Sequence, residues 1–422
     1  MSDLLSRLRA LRGDPAQPEA ADPSQAEVDV GFEGAAAQLA ATVATRETGV
    51  HLWRRATPTW RHGDAPVGDA GLGPLLRRWA EATRARAGRA ASGSPASRHE
   101  GAAPEAPEPT RGSVPRPERV LYLDTETTGL AGGTGTYAFL VGIGVHDTDG
   151  FSVTQLFMPG PQHEPALLDA VEHASRGADA VVTYNGAGFD LPLLRNRFLL
   201  HGREDPFAHA LQLDLLPLAR RLWRERLVDC TLGTVEREIL GARRDHRDVP
   251  GAEVPARYAA FLRSRDARPL RGVLRHNQDD VVALAAMRAR LDDLLASRRP
   301  AAPDEAYALG RLLARIGEEA LALQHFRSVA AQRADAAWEA SLLLRRTGRR
   351  EAAREAWQAL AQRGHADAWV ALAKDAEHRT RDLHGALAAV QAARCCDGPC
   401  RDDLDKREAR LRARLRVRGE MA

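Results

Sequence analysis

The chain has 422 residues, 44% of them hydrophobic, which is enough for two or three domains with cores of their own. Its 60 basic residues, all arginine except Lys374 and Lys406, face 57 acidic ones; a net charge of +3 excludes a histone-like protein that gathers nucleic acid by its global field. The balance is uneven: residues 119–298 hold 22 basic and 24 acidic residues, and residues 299–422 hold 23 and 18, so the positive excess lies at the C-terminal end.

No run approaches the ~20 apolar residues of a membrane helix, and the start, MSDLLSRLRALRGD, lacks the apolar core of a secretory signal. The reading is a cytoplasmic protein with no membrane segment. Four cysteines do not make a disulfide framework. Cys395-Cys396-x-x-x-Cys400 has neither a CxxC pair nor a His at zinc-site spacing, and it is not read as a metal site.

Residues 1–117 read as a largely disordered Ala/Pro-rich leader and linker. Short islands interrupt it: Leu4, Leu5, Leu8 and Leu11 have helical spacing, and the run Gly49-Val50-His51-Leu52-Trp53 is extended. Ala85 to Pro117 is low-complexity and expected to be linker.

Residues 118–298 change texture. The runs ERVLYLDTET, AFLVGIGVHD and FSVTQLFMPG predict a three-strand meander, since each is apolar, of strand length, and bounded by turn residues. Helix PALLDAVEHAS, strand ADAVVTYN, helix DLPLLRNRFLL, the stretch LQLDLLPLARRLW and helix RHNQDDVVALAAMRARLDDLLAS come after it. That order predicts an α/β fold with a mixed sheet flanked by helices.

Residues 303–397 are helix-forming throughout, and GEEALALQHF from Gly317 matches GRREAAREAW from Gly348 at an offset of 31. A period near this value, with a small residue at the turn and an aromatic one a helix face later, predicts tetratricopeptide-like helical repeats, a surface for a protein partner, with a plain helical bundle as the alternative. Residues 398–422 form a basic C-terminal tail; Lys406 to Arg418 holds seven basic residues and one acid, and reads either as a phosphate contact or as a solvated terminal helix.

Asp124 and Glu126 stand two apart in LYLDTETTGL, a spacing that puts both carboxylates on one face of a strand. Such a pair repels itself unless a cation is present. Asp190 opens a helix after the turn YNGAGF, where Gly186 and Gly188 permit a tight bend and an Asp suits the N-cap. Asp280 lies on the later helix, and His276, four residues before it, shares its face.

These ordered motifs resemble the DEDD superfamily of 3′-5′ exonucleases with a ribonuclease H-like fold: LYLDTETTGL its first motif, Asn185 to Asp190 its second, His276 to Asp280 its third. The stretches DLLPLARRLWRERLVDCTLGTVEREILG, DVPGAEVPARYAAFLRS and HNQDD are similar to the YprB-type bacterial branch, whose members often carry tetratricopeptide repeats. The resemblance implies a 3′-5′ exonuclease acting on single-stranded 3′ ends of DNA or RNA with two Mg²⁺ or Mn²⁺ ions. It implies Asp124, Glu126, Asp190 and Asp280 as metal ligands and His276 as general base. It implies Thr128, Gly129 and Leu130 against the terminal nucleotide, with Asn185 and Phe189 shaping the second motif. One departure stands out: relatives place a His base five residues before the last Asp and a Tyr four before, whereas His276 takes the tyrosine's register. That departure and the acidic middle of the chain leave a second expectation, a scaffold that binds nucleic acid or protein through a weakly active or inactive nuclease-like domain. For substrate contact the arginines at 243, 244, 247, 263, 265, 268, 271 and 275 offer a basic run.

Overall fold

The computed structural model describes residues 42–43, 51–57, 61–68, 70–92, 118–129, 135–147, 150–244, 249–296, 302–396, 401–418 and 420. The expected helical island around Leu4 and most of the leader lie outside them. In chain order the elements begin with strands β1 (Thr42–Val43), β2 (His51–Thr57), β3 (Arg61–His62) and β4 (Ala65–Pro66), then helix α1 (Pro74–Ser92). The meander is built from β5 (Val120–Thr127), β6 (Ala138–Asp147) and β7 (Gly150–Phe157). Next come α2 (Glu164–Ser175), β8 (Ala180–Thr183), α3 (Asp190–Leu200), β9 (Leu211–Asp214), α4 (Leu216–Trp223), α5 (Leu232–Glu238), α6 (Val254–Ser264) and α7 (Leu270–Ala296). The C-terminal region is helical: α8 (Pro303–Arg315), α9 (Glu319–Val329), α10 (Ala334–Arg346), α11 (Arg350–Gln362), α12 (Ala366–Asp375), α13 (Leu383–Arg394) and α14 (Arg401–Val417).

Two compact units divide the chain, one built from 1–60, 119–210 and 244–283, the other from 61–118, 211–243 and 284–422. Helix α7 contributes residues to both.

In the first unit the strands run in the order β1-β2-β7-β6-β5-β8. The meander is antiparallel, and β8 joins β5 in parallel. The sheet is therefore mixed, as the order of elements predicted. The extended piece near Trp53 becomes β2, which pairs with β7 and carries the sheet beyond the meander. Leu121, Leu123, Phe139, Leu140 and Ile143 fill the core, and α6 packs over it with Tyr258 stacked on Phe139 at 4.0 Å. Tyr258 also donates to the Met158 carbonyl at 2.9 Å, so the ring is buried without stranding its hydroxyl.

Helices α2 and α3 are joined by a buried charge pair. The Arg197 guanidinium grips the Glu164 carboxylate and lies 4.2 Å over the Tyr137 ring. His201 shares the same carboxylate at 2.8 Å. Burying such a pair is favourable only when its polar atoms are partnered, and this one is served from three sides.

The second unit corrects the linker expectation. Ala85 to Ser92 continue helix α1, because Leu76, Trp79 and Ala80 at helical spacing bury one face and Ala and Arg are strong helix formers; residues 93–117 lie outside the described residues. In the helical region each of α8 to α14 packs on the next. Gly317, Gly348 and Gly364 close the turns after α8, α10 and α11 with φ of 85°, 78° and 83°, the left-handed region where a side chain is strained. The tail is no loose segment: α14 buries Leu404, Leu411 and Leu415 against α12 and α13. Arg407, Arg410 and Arg414 close around the buried Glu377 carboxylate.

Candidate active site

Strand β5 positions the first two acids. Its parallel pairing with β8 ends at Tyr122 opposite Val182, so Asp124 and Glu126 overhang the end of β8, the place where α/β sheets hold their sites. The overhang leaves room for the turn between β8 and α3. There the chain bends at Asn185, whose φ of 64° makes it, rather than Gly186 or Gly188, the left-handed residue of the bend. Gly186 matters through closeness instead: a Cβ there would stand 2.4 Å from that of Thr183. The N-cap of α3 is Phe189 and Asp190 is its first helical residue, which corrects the N-cap expectation. Rather than capping its helix, the Asp190 carboxylate reaches β5 and accepts the Thr125 hydroxyl in a buried contact.

Helix α7 brings the last acid. It comes unusually close to the sheet, because an added Cβ on Gly142 would stand 2.3 Å from Asn277 Oδ1 and one on Gly144 2.7 Å from Val281 Cγ1. That approach lays the fully buried Asn277 against β5. Its amide donates to Asp124 Oδ2 at 2.8 Å and to the Asp124 carbonyl at 3.2 Å, while its Oδ1 accepts from Gln155 at 2.9 Å. Gln155 gives its other hydrogen to the Leu274 carbonyl at 2.7 Å. One polar thread thus runs from β7 through α7 to the first acid.

His276 and Asp280 sit on the same face of α7, with Nε2 3.5 Å from Asp280 Oδ2. Arg244 enters from the segment after α5, pairs with Asp280 Oδ1 and donates to His276 Nδ1 at 3.1 Å. Since a guanidinium only donates, Nδ1 accepts, and the neutral ring carries its proton on Nε2, toward Asp280.

The electrostatics show that the four acids share one locality. Burial, followed by the charges of Asp280, Asp190 and Glu126, raises the Asp124 pKa well above the carboxylate range despite the Asn277 hydrogen bond. Burial pushes Glu126 up to about 8, with Asp280 and Asp190 adding to it and His276 and Arg244 opposing. Desolvated, mutually repelling carboxylates of this kind are stabilised by cations.

The donor set fits a hard divalent ion: four carboxylates, with Glu126 Oε1 buried and lacking a hydrogen-bond partner among the described residues. Among those residues no three His, Cys, Asp or Glu side chains are already drawn together tightly enough to hold one. Protein donors occupy three of the acids instead: Asn277 on Asp124, Thr125 on Asp190, Arg244 on Asp280.

Asp124, Glu126, Asp190, His276 and Asp280 are thus brought together. Thr128 and Gly129 come directly after β5, where the Thr128 hydroxyl accepts from the Tyr137 backbone at 3.0 Å. Asn185 is exposed and Phe189 half-buried beside the acids' turn; Leu130 lies outside the described residues. Of the basic run, Arg268 pairs with Asp266 at 2.8 Å, Arg265 ends α6, and Arg247 lies outside the described residues. Sequence reasoning did not single out Asn277, Gln155 or Thr125, and it took Arg244 for a substrate contact. The Asn beside His276 and the two glycines of β6 were the available signals.

A model for a family described as RNase_H superfamily matches residues 121–292, the span that holds all five residues. YprB of Bacillus subtilis (strain 168), an uncharacterized protein, is 32% identical over 309 residues, covering 70% of this chain and 74% of its own length. Superposition on the family B DNA polymerase of the hyperthermophilic archaeon Pyrobaculum calidifontis gives a TM-score of 0.33 at 19% identity, covering 49% of this chain and 30% of the polymerase. No described helix is long and apolar enough to cross a membrane. The chain belongs to the family of YprB, and its residues 121–292 form an RNase H superfamily domain.

Proposed function

We propose that the protein is a metal-dependent 3′-5′ exonuclease acting on single-stranded ends of DNA or RNA. The observation that carries the reading is the convergence of four carboxylates at the overhanging end of β5, two of them with strongly raised pKa values and one with an unpartnered buried oxygen. Asp124, Glu126, Asp190 and Asp280 would hold two Mg²⁺ or Mn²⁺ ions, which when bound activate water and neutralise charge on the phosphorus and leaving oxygen. Asn277 holds Asp124 in place, and Thr125 does the same for Asp190. His276 accepts a proton from the attacking water through Nδ1, the nitrogen that lacks one, once Arg244 has moved off it. Arg244, freed, is the cation best placed to meet the scissile phosphate. Thr128, Gly129, Leu130, Asn185 and Phe189 contact the terminal nucleotide. The helical array, with its offset of 31 between Gly317 and Gly348, is read as tetratricopeptide-like and as the seat of a protein partner.

Arg244 also favours a second reading, a binding scaffold with little turnover, because its guanidinium sits where an ion would compete. One panel separates the two. DNA and RNA oligonucleotides labelled at either end are incubated with Mn²⁺ and wild type, Asp124→Ala or Asp280→Asn. Stepwise loss from the 3′ end, abolished in both variants, is expected. No shortening by wild type, or equal activity in the variants, leaves the scaffold. His276→Ala should slow cleavage by roughly 10² or more with metal binding kept.

A further inference from the structure

A second cationic feature lies entirely within the second unit, and nothing in the catalytic reading uses it. Helices α1, α4 and α8 meet around Trp79, which is 4% exposed. The Arg221 guanidinium stands 5.0 Å from the centre of the Trp79 ring and that of Arg315 6.0 Å from the same ring. Arg86 reaches in from α1 to donate to the Arg315 carbonyl at 2.9 Å. A cavity of about 550 Å³ opens beside them, lined by Arg220, Arg221, Arg224, Arg226, Arg311 and Arg315.

Three acids also line it, and each has a partner of its own. Asp304 pairs with Arg333, Glu225 lies 3.6 Å from Arg333, and Glu305 accepts from the Trp223 indole at 3.1 Å. None of the six arginines forms an ion pair with a carboxylate among the described residues. Six arginines against three acids leave a positive excess, and like charges held together in excess cost free energy unless an anion joins them. That crowding is felt within the cluster: burial, then the charges of Arg315, Arg86 and Arg311, holds the Arg221 guanidinium below its ordinary pKa. The indole ring meets two of the guanidiniums without neutralising them; Arg221 Nη1 donates to the Pro217 carbonyl at 2.9 Å, and the other N–H groups face solvent, where oxygen acceptors can reach them.

We propose that this arginine cavity binds the phosphodiester backbone of a nucleic-acid strand, as a site additional to the four acids. Several exposed guanidiniums along an open cavity suit a chain of evenly spaced phosphates better than a single anion, and such backbone contacts read no bases, so binding is independent of sequence. The choice of a nucleic-acid strand over another polyanion rests on the exonuclease reading. It also answers where a catalytic domain with more acidic than basic residues finds its affinity for a polyanion.

The test reads binding by fluorescence anisotropy in EDTA, so that cleavage plays no part, using a labelled single strand of about 20 nucleotides across a salt series. Arg221→Gln, Arg311→Gln and Arg315→Gln are combined in one full-length variant. Each phosphate contact on a single strand contributes about 0.7 to the slope of log affinity against log salt, so the variant's slope should fall by about 2. A fourfold rise in salt should then cost wild type roughly 20-fold more affinity than it costs the variant. The triple Lys variant should restore the slope, and Glu225→Gln, at an exposed acid, should tighten binding. Arg327→Gln, on α9, should change nothing. An unchanged slope in the Gln variant, failure of Lys to restore it, or equal capture of a polyglutamate chain would overturn the proposal. Because cleavage by wild type in Mn²⁺ is scored separately, failure of the catalytic reading and failure of this site give different results.

Discussion

Gly142→Ala probes whether the close approach of α7 to the sheet sets up the site. A Cβ at this position would stand 2.3 Å from Asn277 Oδ1 and 2.9 Å from Val281 Cγ2, where ordinary contact begins near 3.4 Å. About 1 Å must be found, and both neighbours are fully buried. Overpacking of this kind costs about 1–3 kcal/mol. Turning the Asn277 amide aside also loosens its bond to Asp124, worth about 1 kcal/mol or more. The total is roughly 2–4 kcal/mol, a fall in melting temperature on the order of 5–15 °C for a unit of this size. Differential scanning calorimetry of the full chain measures it, and the same variant should lose most of its Mn²⁺-dependent cleavage. The decisive control is a double-mutant cycle. Asn277→Ala opens the space, so Gly142→Ala should cost at least about 1 kcal/mol less in that background than alone. A melting temperature within about 1 °C of wild type with cleavage intact, or additive effects in the cycle, would refute the claim that this glycine exists to seat Asn277.

Metal-free protein should be destabilised by alkali. Glu126 keeps its proton in the fold up to about pH 8, whereas in the unfolded chain it is lost near 4.5, so the folded state holds more protons between those values. Stability therefore falls by a few kcal/mol as pH rises through that window, and Glu126→Gln flattens the slope; chemical unfolding in EDTA at a series of pH values checks it. Arg244→Ala removes the cation that occupies Asp280 and should tighten Mn²⁺ binding roughly tenfold by calorimetric titration, and weaker binding would show that Arg244 supports the ligands instead. Glu377→Gln leaves three guanidiniums around an uncharged group whose carboxylate was 1% exposed, and should cost about 3–5 kcal/mol in urea unfolding.

Much of this was legible in the residues themselves. Apolar runs of strand length between turn residues gave the β5 to β7 meander, and spacing of two on a strand and four on a helix grouped Asp124 with Glu126 and His276 with Asp280. What could not be read depends on how distant segments meet. Asn277 is one polar residue among several in RHNQDD until the glycines of β6 let it reach Asp124, 153 residues away. Arg244 looks like any arginine in a basic run; only the fold turns it toward Asp280. The end of α1 was obscured by composition, since ARAGRAAS is low in complexity, although the apolar spacing of Leu76, Trp79 and Ala80 upstream was present to be used. The tail's charge pointed outward in the sequence, but Arg407, Arg410 and Arg414 share a helical face and turn inward to Glu377.

The helices after Pro303 pack each on the next, with Gly317, Gly348 and Gly364 setting their turns. An array held by nearest neighbours has a low contact order, so it can nucleate at any hairpin and grow by zippering. Its members need not melt together. Fraying from the α14 end would pass through partly folded species, each missing one more helix, and hydrogen exchange along the array should show a gradient of protection rather than a single step.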